Sequence, residues 1–384
     1  MGGLRFDVVA RDGASLARRG VLYTPHGPIA TPAFAPVGTQ GAVKALAPRD
    51  LLGLGVEVVM ANAYHLAMRP GADTVAALGG LHALSGWDGP LMTDSGGFQI
   101  FSLQGASRVD DDGVTFKSHV DGSMHRFTPE SVVALQQTLG ADLVMPLDVC
   151  TGHPAPRARA AHDMRVTLRW AERARRSHTR PDQWLYGIVQ GSVYADLRAE
   201  SARSTAQLGF PAYAIGGVSV GESKPEMLAA VEAAVPHLPP HAPRHLLGVG
   251  HPEDIVEGVA RGIDTFDCVM PTRVARTAAA LTMDGRINLR NASHVADLRP
   301  LDPACGCYAC QRFSRGAIRH LFMAGEMLGP HLLTLHNVHF TLDLLRRIRA
   351  ALESGTFGGF RRDFLARYAH GAYAPARIAT ATAG

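Results

Sequence analysis

The chain has 384 residues, 46% of them hydrophobic and 19% charged, a balance that excludes a disordered or fibrous protein and fits a globular one with a sizeable core. No apolar run approaches the roughly 20 residues of a membrane-spanning helix, and the five cysteines, three of them within residues 305–310, are no disulfide framework and predict a reducing cytoplasm. The net charge of +4 is uneven: residues 270–384 carry fifteen Arg, no Lys and seven acids, a balance of +8 on a body of −4, the pattern of a phosphate-binding face. The N-terminus is no secretory signal, and Gly2 is not followed by the Ser or Thr of a myristoylation motif.

Short apolar runs then recur, each ending on a polar residue or a glycine: AFAPV (33–37), EVVMAN (57–62), PLMTD (90–94), DLVMPLD (142–148), WLYGIVQ (184–190), AYAIGG (212–217), HLLGVG (245–250) and DTFDCV (264–269). Amphipathic patterns between them predict helices over 129–139, with Thr128 as N-cap, and over 158–176, 194–208, 224–235 and 252–261. Eight near-continuous apolar strands alternating with helices predict a parallel sheet covered on both faces and closed as a (β/α)8 TIM barrel. No GxGxxG follows the first strand, which leaves a dinucleotide-binding fold unsupported. Residues 1–270 form the expected barrel, 271–340 a basic metal-binding subdomain, and 341–384 a helical segment packing on the barrel.

In such a barrel the strand C-termini meet at one mouth, where Asn62, Asp94, Asp148, Gln190, Gly217, Gly248 and Asp267 are delivered. Taken alone, Asp94 in front of Ser95, Gly96 and Gly97 reads as an Asx-turn. Beside two other carboxylates and a carboxamide it reads as part of a site. Farther on, CGCYAC places Cys305, Cys307 and Cys310 in a C-x-C-x2-C array suited to one tetrahedral ion, with His320, His331, His336 and His339 available as the fourth ligand. A helix over 311–327 is expected to carry the chain away and return it near Leu335, His336 and Asn337. Three sulfurs and one imidazole make a closed structural site.

Together, TDSGGFQ (93–99), LDVC (147–150), GIVQGS (187–192), AIGGVSVGE (214–222), GVGHPEDI (248–255), DTFDCVMPTRVART (264–277), CGCYAC and LHN (335–337) resemble the tRNA-guanine transglycosylases, or queuine tRNA-ribosyltransferases, of the bacterial type. The likeness runs in order over about 5–370. It implies a (β/α)8 barrel with an inserted or appended zinc subdomain, and exchange of guanine at wobble position 34 of GUN-anticodon tRNAs for the queuine precursor preQ1. The resemblance makes Asp267 the nucleophile and Asp94 the general acid/base. It assigns base binding to Asp148, Gln190 and Gly217, with Ser95, Gly96, Gly97 and Val218 beside them and Phe98 and Leu247 placed to sandwich the base. It assigns RNA contacts to Gly248, Val249, Gly250, His251, Pro252, Glu253 and Asp254, and to Thr272, Arg273, Val274, Ala275 and Arg276. It closes the array of Cys305, Cys307 and Cys310 with His336 around one structural Zn2+ per chain, and it implies a cytoplasmic homodimer.

The implied chemistry suits these residue types. Base exchange at ribose C1′ passes through an oxocarbenium-like transition state, so one carboxylate attacks while a second moves protons on the leaving and entering bases. A non-catalytic accessory paralogue would not need both Asp94 and Asp267, and a barrel glycosidase would not need the Arg excess. Leu247 stands where the family often has Met, and Ala317 where a Tyr usually makes dimer contacts with the neighbourhood of Leu321. Val220, in GGVSVGE, occupies a position where the eukaryotic form uses Gly, which implies the small aminomethyl base over queuine.

Overall fold

The computed structural model describes residues 4–102 and 107–370. Eight parallel strands build its centre: β1 (Ala33–Pro36), β2 (Val59–Asn62), β3 (Leu91–Asp94), β4 (Leu143–Val144), β5 (Trp184–Val189), β6 (Ala212–Ile215), β7 (Arg244–Leu246) and β8 (Thr265–Cys268). The order runs β1-β8-β7-β6-β5-β4-β3-β2. A parallel bridge between Val37 and Met60, with the Gly38 N–H donating to the Met60 carbonyl at 2.7 Å, joins β1 to β2 and closes the barrel.

The two-residue period of a strand sorts its side chains. Ala33, Ala35, Met60, Met92, Leu143, Tyr186, Ile188, Ala212 and Ala214 pack together as the buried inner core. Their neighbours Phe34, Ala61, Leu91, Val144, Leu185, Tyr213, Leu246 and Phe266 pack outward in the layer that includes the helices. The five predicted helices are found at Pro129–Leu139, Arg157–Ser177, Ala195–Gln207, Lys224–Ala234 and Pro252–Ala260. Thr128 caps the first as expected, its Oγ1 accepting from the Ser131 N–H at 3.2 Å.

Several strands are shorter than the apolar runs that announce them. The run 142–148 forms only two strand residues because Pro146 has no N–H for the ladder. An irregular extension, tied by the Met145 N–H to the Thr93 carbonyl at 3.0 Å, carries the chain on to Asp148. Three small antiparallel sheets among the described residues lie outside the predicted set. One, Arg5–Arg11, Arg18–Thr24 and Gly27–Thr31, covers the bottom of the barrel; a second, Ser107–Val109, Val114–Lys117 and Met124–Phe127, is inserted between β3 and the helix Pro129–Leu139; the third is the hairpin Ala279–Thr282 and Gly285–Asn288 after β8.

The segment after β8 also departs from expectation. In place of one helix over 311–327 there are two, Tyr308–Arg312 and Arg315–Met323, because Phe313 is extended and Ser314 caps the second, accepting from the Ala317 N–H at 3.1 Å. His336 lies within a helix, Leu328–Glu353, and not where a chain returns from one. That helix packs on β1 and on the helix Pro48–Leu54, so the cysteine-bearing segment is inserted between β8 and the helix that completes the barrel. It runs continuously through residues 340 and 341.

A buried ion pair fastens the N-terminal sheet to the barrel bottom. Arg18, 1% exposed, donates from Nε to Asp264 Oδ1 at 2.8 Å and from Nη2 to Oδ2 at 2.5 Å, and also reaches the carbonyls of Pro240 and Ala242. Asp264 Oδ2 accepts a third bond from the Arg244 N–H at 2.7 Å. Arg18→Met leaves that carboxylate buried without its cation. We expect a loss of about 3–5 kcal/mol in urea unfolding, the cost of breaking one partner of a buried pair. A midpoint equal to wild type would show the pair to be dispensable.

Candidate active site

β3 ends on Asp94, opposite Asn62 at the end of β2. Asn62 works in two directions: its Oδ1 accepts from the His65 N–H at 2.9 Å and caps the helix Ala63–Met68, while its Nδ2 donates to Asp94 Oδ2 at 2.7 Å. The carboxylate is thus aimed by a residue that its own capping bond holds still. Gln99 Nε2 adds a longer contact to Asp94 Oδ2 at 3.4 Å. Asp94 Oδ1 is buried and has no hydrogen-bond partner among the described residues. Burial first, then the negative charge of Asp267, push the Asp94 carboxyl up to about 8; Asn62 opposes the shift and Asp148 adds to it.

The glycines after Asp94 answer to close approaches within the protein. A Cβ on Gly96, whose φ is +87°, would lie 2.2 Å from Tyr64 Cβ; one on Gly97 would lie 2.6 Å from Asp148 Oδ1. Asp148 Oδ2 accepts from Gln190 Nε2 at 2.6 Å. Burial pushes this carboxyl up to about 6 against that bond. Gly217, with φ +60°, passes Gln190 so closely that a Cβ would sit 2.1 Å from its Oε1, itself buried and without a hydrogen-bond partner among the described residues. Asp148, Gln190, Gly97 and Gly217 therefore form one contiguous polar wall. A cavity of about 330 Å³ opens against it, lined by Gly97, Asp148, Cys150 and Trp170 among others.

Asp267, in β8, is held differently. Its Oδ1 accepts from His245 Nε2 at 3.0 Å and from the Gly248 N–H at 3.0 Å. His245 was not among the predicted site residues. The signal was its position within an apolar run at inward parity, since it pairs with Thr265 across β7 and β8.

The remaining candidates separate by exposure. Phe98 is 48% exposed on the first turn of the helix Gly97–Ser102, Leu247 is partly buried with one methyl beside Gly216, and Ser95 and Val218 are buried. In 248–254 only Gly248 and His251 are exposed; Val249, Gly250, Pro252 and Asp254 are buried, and Lys224 Nζ holds the carboxylates of Glu253 and Asp254, the latter at 2.9 Å. On the helix Met270–Arg276, Thr272 and Ala275 are buried, Val274 and Arg276 are partly exposed and Arg273 is exposed.

The Sγ atoms of Cys305, Cys307 and Cys310 lie 3.7, 3.5 and 3.3 Å from Nδ1 of His336, and the four atoms fall within 4.8 Å of one another. His336 Nε2 donates to the Leu281 carbonyl at 2.8 Å, which turns the Nδ1 lone pair toward the sulfurs. His339 Nδ1 approaches only Cys305, at 3.4 Å, and His331 Nδ1 bonds the Ala45 carbonyl instead. Four converging donors with a hydrogen-bonded outer partner fit a closed metal site.

The sequence model of the family described as Queuine tRNA-ribosyltransferase matches residues 12–370. Three relatives bear that name: one from Pelotomaculum thermopropionicum, 49% identical over 94% of this chain and 98% of its own; one from Desulforudis audaxviator, 50% identical over 95% and 98%; and one from Thermus thermophilus, 50% identical over 94% and 94%. The chain belongs to the queuine tRNA-ribosyltransferase family. As a member of that family it is a pentosyl-transferring enzyme, and no helix among the described residues is long and apolar enough to cross a membrane.

Two outcomes follow for this family member. Asp94 holds its proton to about pH 8 when folded but only to its ordinary 3.8 when unfolded. Its contribution to stability is therefore fully present below pH 3.8 and is lost as pH rises toward 8. Asp94→Asn should flatten the decline in unfolding free energy between pH 5 and pH 9 by at least about 1.4 kcal/mol, one pH unit of differential protonation. A slope identical to wild type would refute the shift. At the metal site, Cys307→Ala should unfold the segment between β8 and the long helix before the barrel, and Cys307→Ala with His336→Ala should abolish stoichiometric metal by mass spectrometry. Full metal content in the double variant would show that other residues hold it.

Proposed function

We propose that the protein exchanges guanine at the wobble position of GUN-anticodon tRNAs for preQ1, by two displacements at ribose C1′. Asp267 attacks C1′ as the C1′–N9 bond of guanine breaks, and Asp94 supplies a proton to the departing base. preQ1 then enters, its N9 attacks C1′, the ester bond to Asp267 breaks, and Asp94 takes back the N9 proton. The observation that carries this reading is the contrast between two neighbouring carboxyls. Asp94, with one oxygen buried and unpaired among the described residues, is pushed to about 8 and holds a proton at neutral pH, whereas Asp267 has two donors on one oxygen. A carboxyl that keeps its proton suits the acid, and one whose Oδ1 is held by two donors while Oδ2 stays open suits the nucleophile.

Asp148 suits base recognition for a related reason. At about 6 it is an anion at neutral pH, able to accept from guanine N1–H and the exocyclic amine, while the second Gln190 amide hydrogen and the Gly217 N–H serve O6. Phe98 and Leu247 stack on the base extruded from the anticodon loop. Arg273 and Arg276 lie near the bases flanking the exchanged one and His251 belongs to the other RNA-contacting stretch, in keeping with the +8 balance of residues 270–384. Cys305, Cys307, Cys310 and His336 would hold a structural Zn2+. Met323, Met327 and Leu328, exposed at 56%, 87% and 43%, support a homodimer formed beside the helix Arg315–Met323, and the setting is cytoplasmic. Val220 favours preQ1 over queuine; its N–H is tied to Glu222 Oε2 at 2.9 Å, so a bulkier base must displace a tethered loop.

Incubation with radiolabelled guanine and unmodified GUN-anticodon tRNA tests the activity. Label should enter tRNA, preQ1 should compete well and queuine poorly; no incorporation would overturn the reading. With 9-deazaguanine present, wild type should trap tRNA covalently on a denaturing gel and Asp267→Asn should fold yet trap none. Trapping by that variant would remove Asp267 as nucleophile.

A further inference from the structure

The inner face of the barrel below Asp267 carries a polar relay in an otherwise apolar core. His245 on β7 is fully buried and faces Thr265 and Asp267 of β8, both of which pair with inward-facing residues of β1. His245 Nδ1 lies 2.9 Å from Thr265 Oγ1, and Nε2 lies 3.0 Å from Asp267 Oδ1. The Tyr186 ring of β5 stands edge-on to the imidazole at 6.2 Å between centroids. The polar groups beside the ring are Thr265 and Asp267, and the fully buried Tyr186 hydroxyl stands near Thr265.

The carboxylate fixes one hydrogen: its oxygen can only accept, so Nε2 carries a hydrogen and donates it to Asp267 Oδ1. Nδ1 bonds the Thr265 hydroxyl, which can donate to it or accept from it. The Gly248 N–H falls on the same oxygen, Oδ1. Among the described residues Oδ2 receives no comparable donor.

We propose that His245 is a positioning residue for the nucleophile, holding Asp267 Oδ1 so that Oδ2 forms the bond to ribose C1′. This rests on the reading of Asp267 as nucleophile. As Oδ2 bonds C1′ and the bond to the departing base breaks, Oδ1 becomes the carbonyl oxygen of the ester, still held by Nε2–H and the Gly248 N–H. As the entering base attacks, the electron pair of the C1′–Oδ2 bond returns to the carboxylate, and the same two donors stabilise the charge that reappears. Thr265 acts at one remove, by holding the other side of the ring at Nδ1.

The test compares kcat and KM for tRNA in the full-length wild type, His245→Phe, His245→Gln, Thr265→Val and Asp267→Asn. Phe keeps the ring volume and removes the donor. It should lower kcat roughly 10- to 100-fold, the worth of one hydrogen bond to a charged group, with KM within about threefold. Gln places an amide nitrogen near the position of Nε2 and should recover most of that loss. Wild-type kcat in His245→Phe, or a Gln variant as impaired as Phe, would overturn the proposal, the second outcome reducing His245 to packing. Should His245→Phe fail to fold, the near-isosteric Thr265→Val carries the test: a fall in kcat at unchanged KM supports the relay and an unchanged kcat overturns it. Full exchange by Asp267→Asn would instead defeat the nucleophile reading. An inactive Asp267→Asn beside a fully active His245→Phe would defeat this proposal alone.

Discussion

Asp94, Asp148 and Asp267 share one barrel mouth, and the burial of carboxyls there, with the charge of Asp267 acting on Asp94, is the constraint around which the site is arranged. The barrel cannot avoid this meeting, since it delivers the ends of β3, of the extension after β4 and of β8 to the same face. What it can distribute is donors. Asp267 has two on Oδ1, Asp148 has Gln190, and Asp94 has Asn62 with Gln99 farther off and one oxygen left buried. Burial pushes the carboxyls of both Asp94 and Asp148 up, to about 8 and about 6, and the charge of Asp267 adds to the Asp94 shift. Two residues of one type thereby hold their protons to different pH.

The other end of the barrel shows the same residue type under the opposite treatment. Asp264 is matched by Arg18 and by the Arg244 N–H. Asp142 accepts from the Leu91 N–H at 2.8 Å and lies 2.7 Å from His26 Nδ1, with His82 close by. Burial works against the Asp142 charge, but bonds from His82 and His26 win and hold its carboxyl below the ordinary value. Fully paired acids at the bottom hold the N-terminal sheet to the barrel. At the top, Asp94 is left with one oxygen buried and without a hydrogen-bond partner among the described residues.

How much of this was legible in the sequence follows from where the signal lies. The barrel strands announce themselves because they are buried on both faces, and the residues ending them mark the mouth without any structure. The N-terminal sheet hid because Arg5–Arg11 and Arg18–Thr24 place arginines where an edge strand would show an apolar face; the Arg18 guanidinium is buried only because Asp264 waits for it. The insert 107–127 hid because its strands are three or four residues long and its outer strand Ser107–Val109 is wholly exposed. His245 is a polar residue on an inner face, and only the register between β7 and β8 shows that it meets Asp267 and not a loop. The glycines after Asp94 were legible as bare backbone, but not that Tyr64 and Asp148 are the groups that come close.

The long helix Leu328–Glu353 gives the metal site a route to the barrel mouth. His336 faces the cysteines, and both it and the next residue, Asn337, bond Leu281: His336 Nε2 donates to its carbonyl and Asn337 Oδ1 accepts from its N–H at 2.9 Å, while Asn337 Nδ2 donates to the carbonyls of Pro271 and Ala279 at 3.0 and 2.9 Å. Pro271 lies in the helix Met270–Arg276, which begins two residues after β8 and the nucleophile candidate Asp267. An ion held by His336 therefore also fixes the rotation of a helix whose adjacent residue anchors the chain leaving β8. Asn337 is the one side-chain donor to those two carbonyls among the described residues. A closed metal site with no open coordination position can thus bear on catalysis, through the placement of backbone and not through chemistry at the metal.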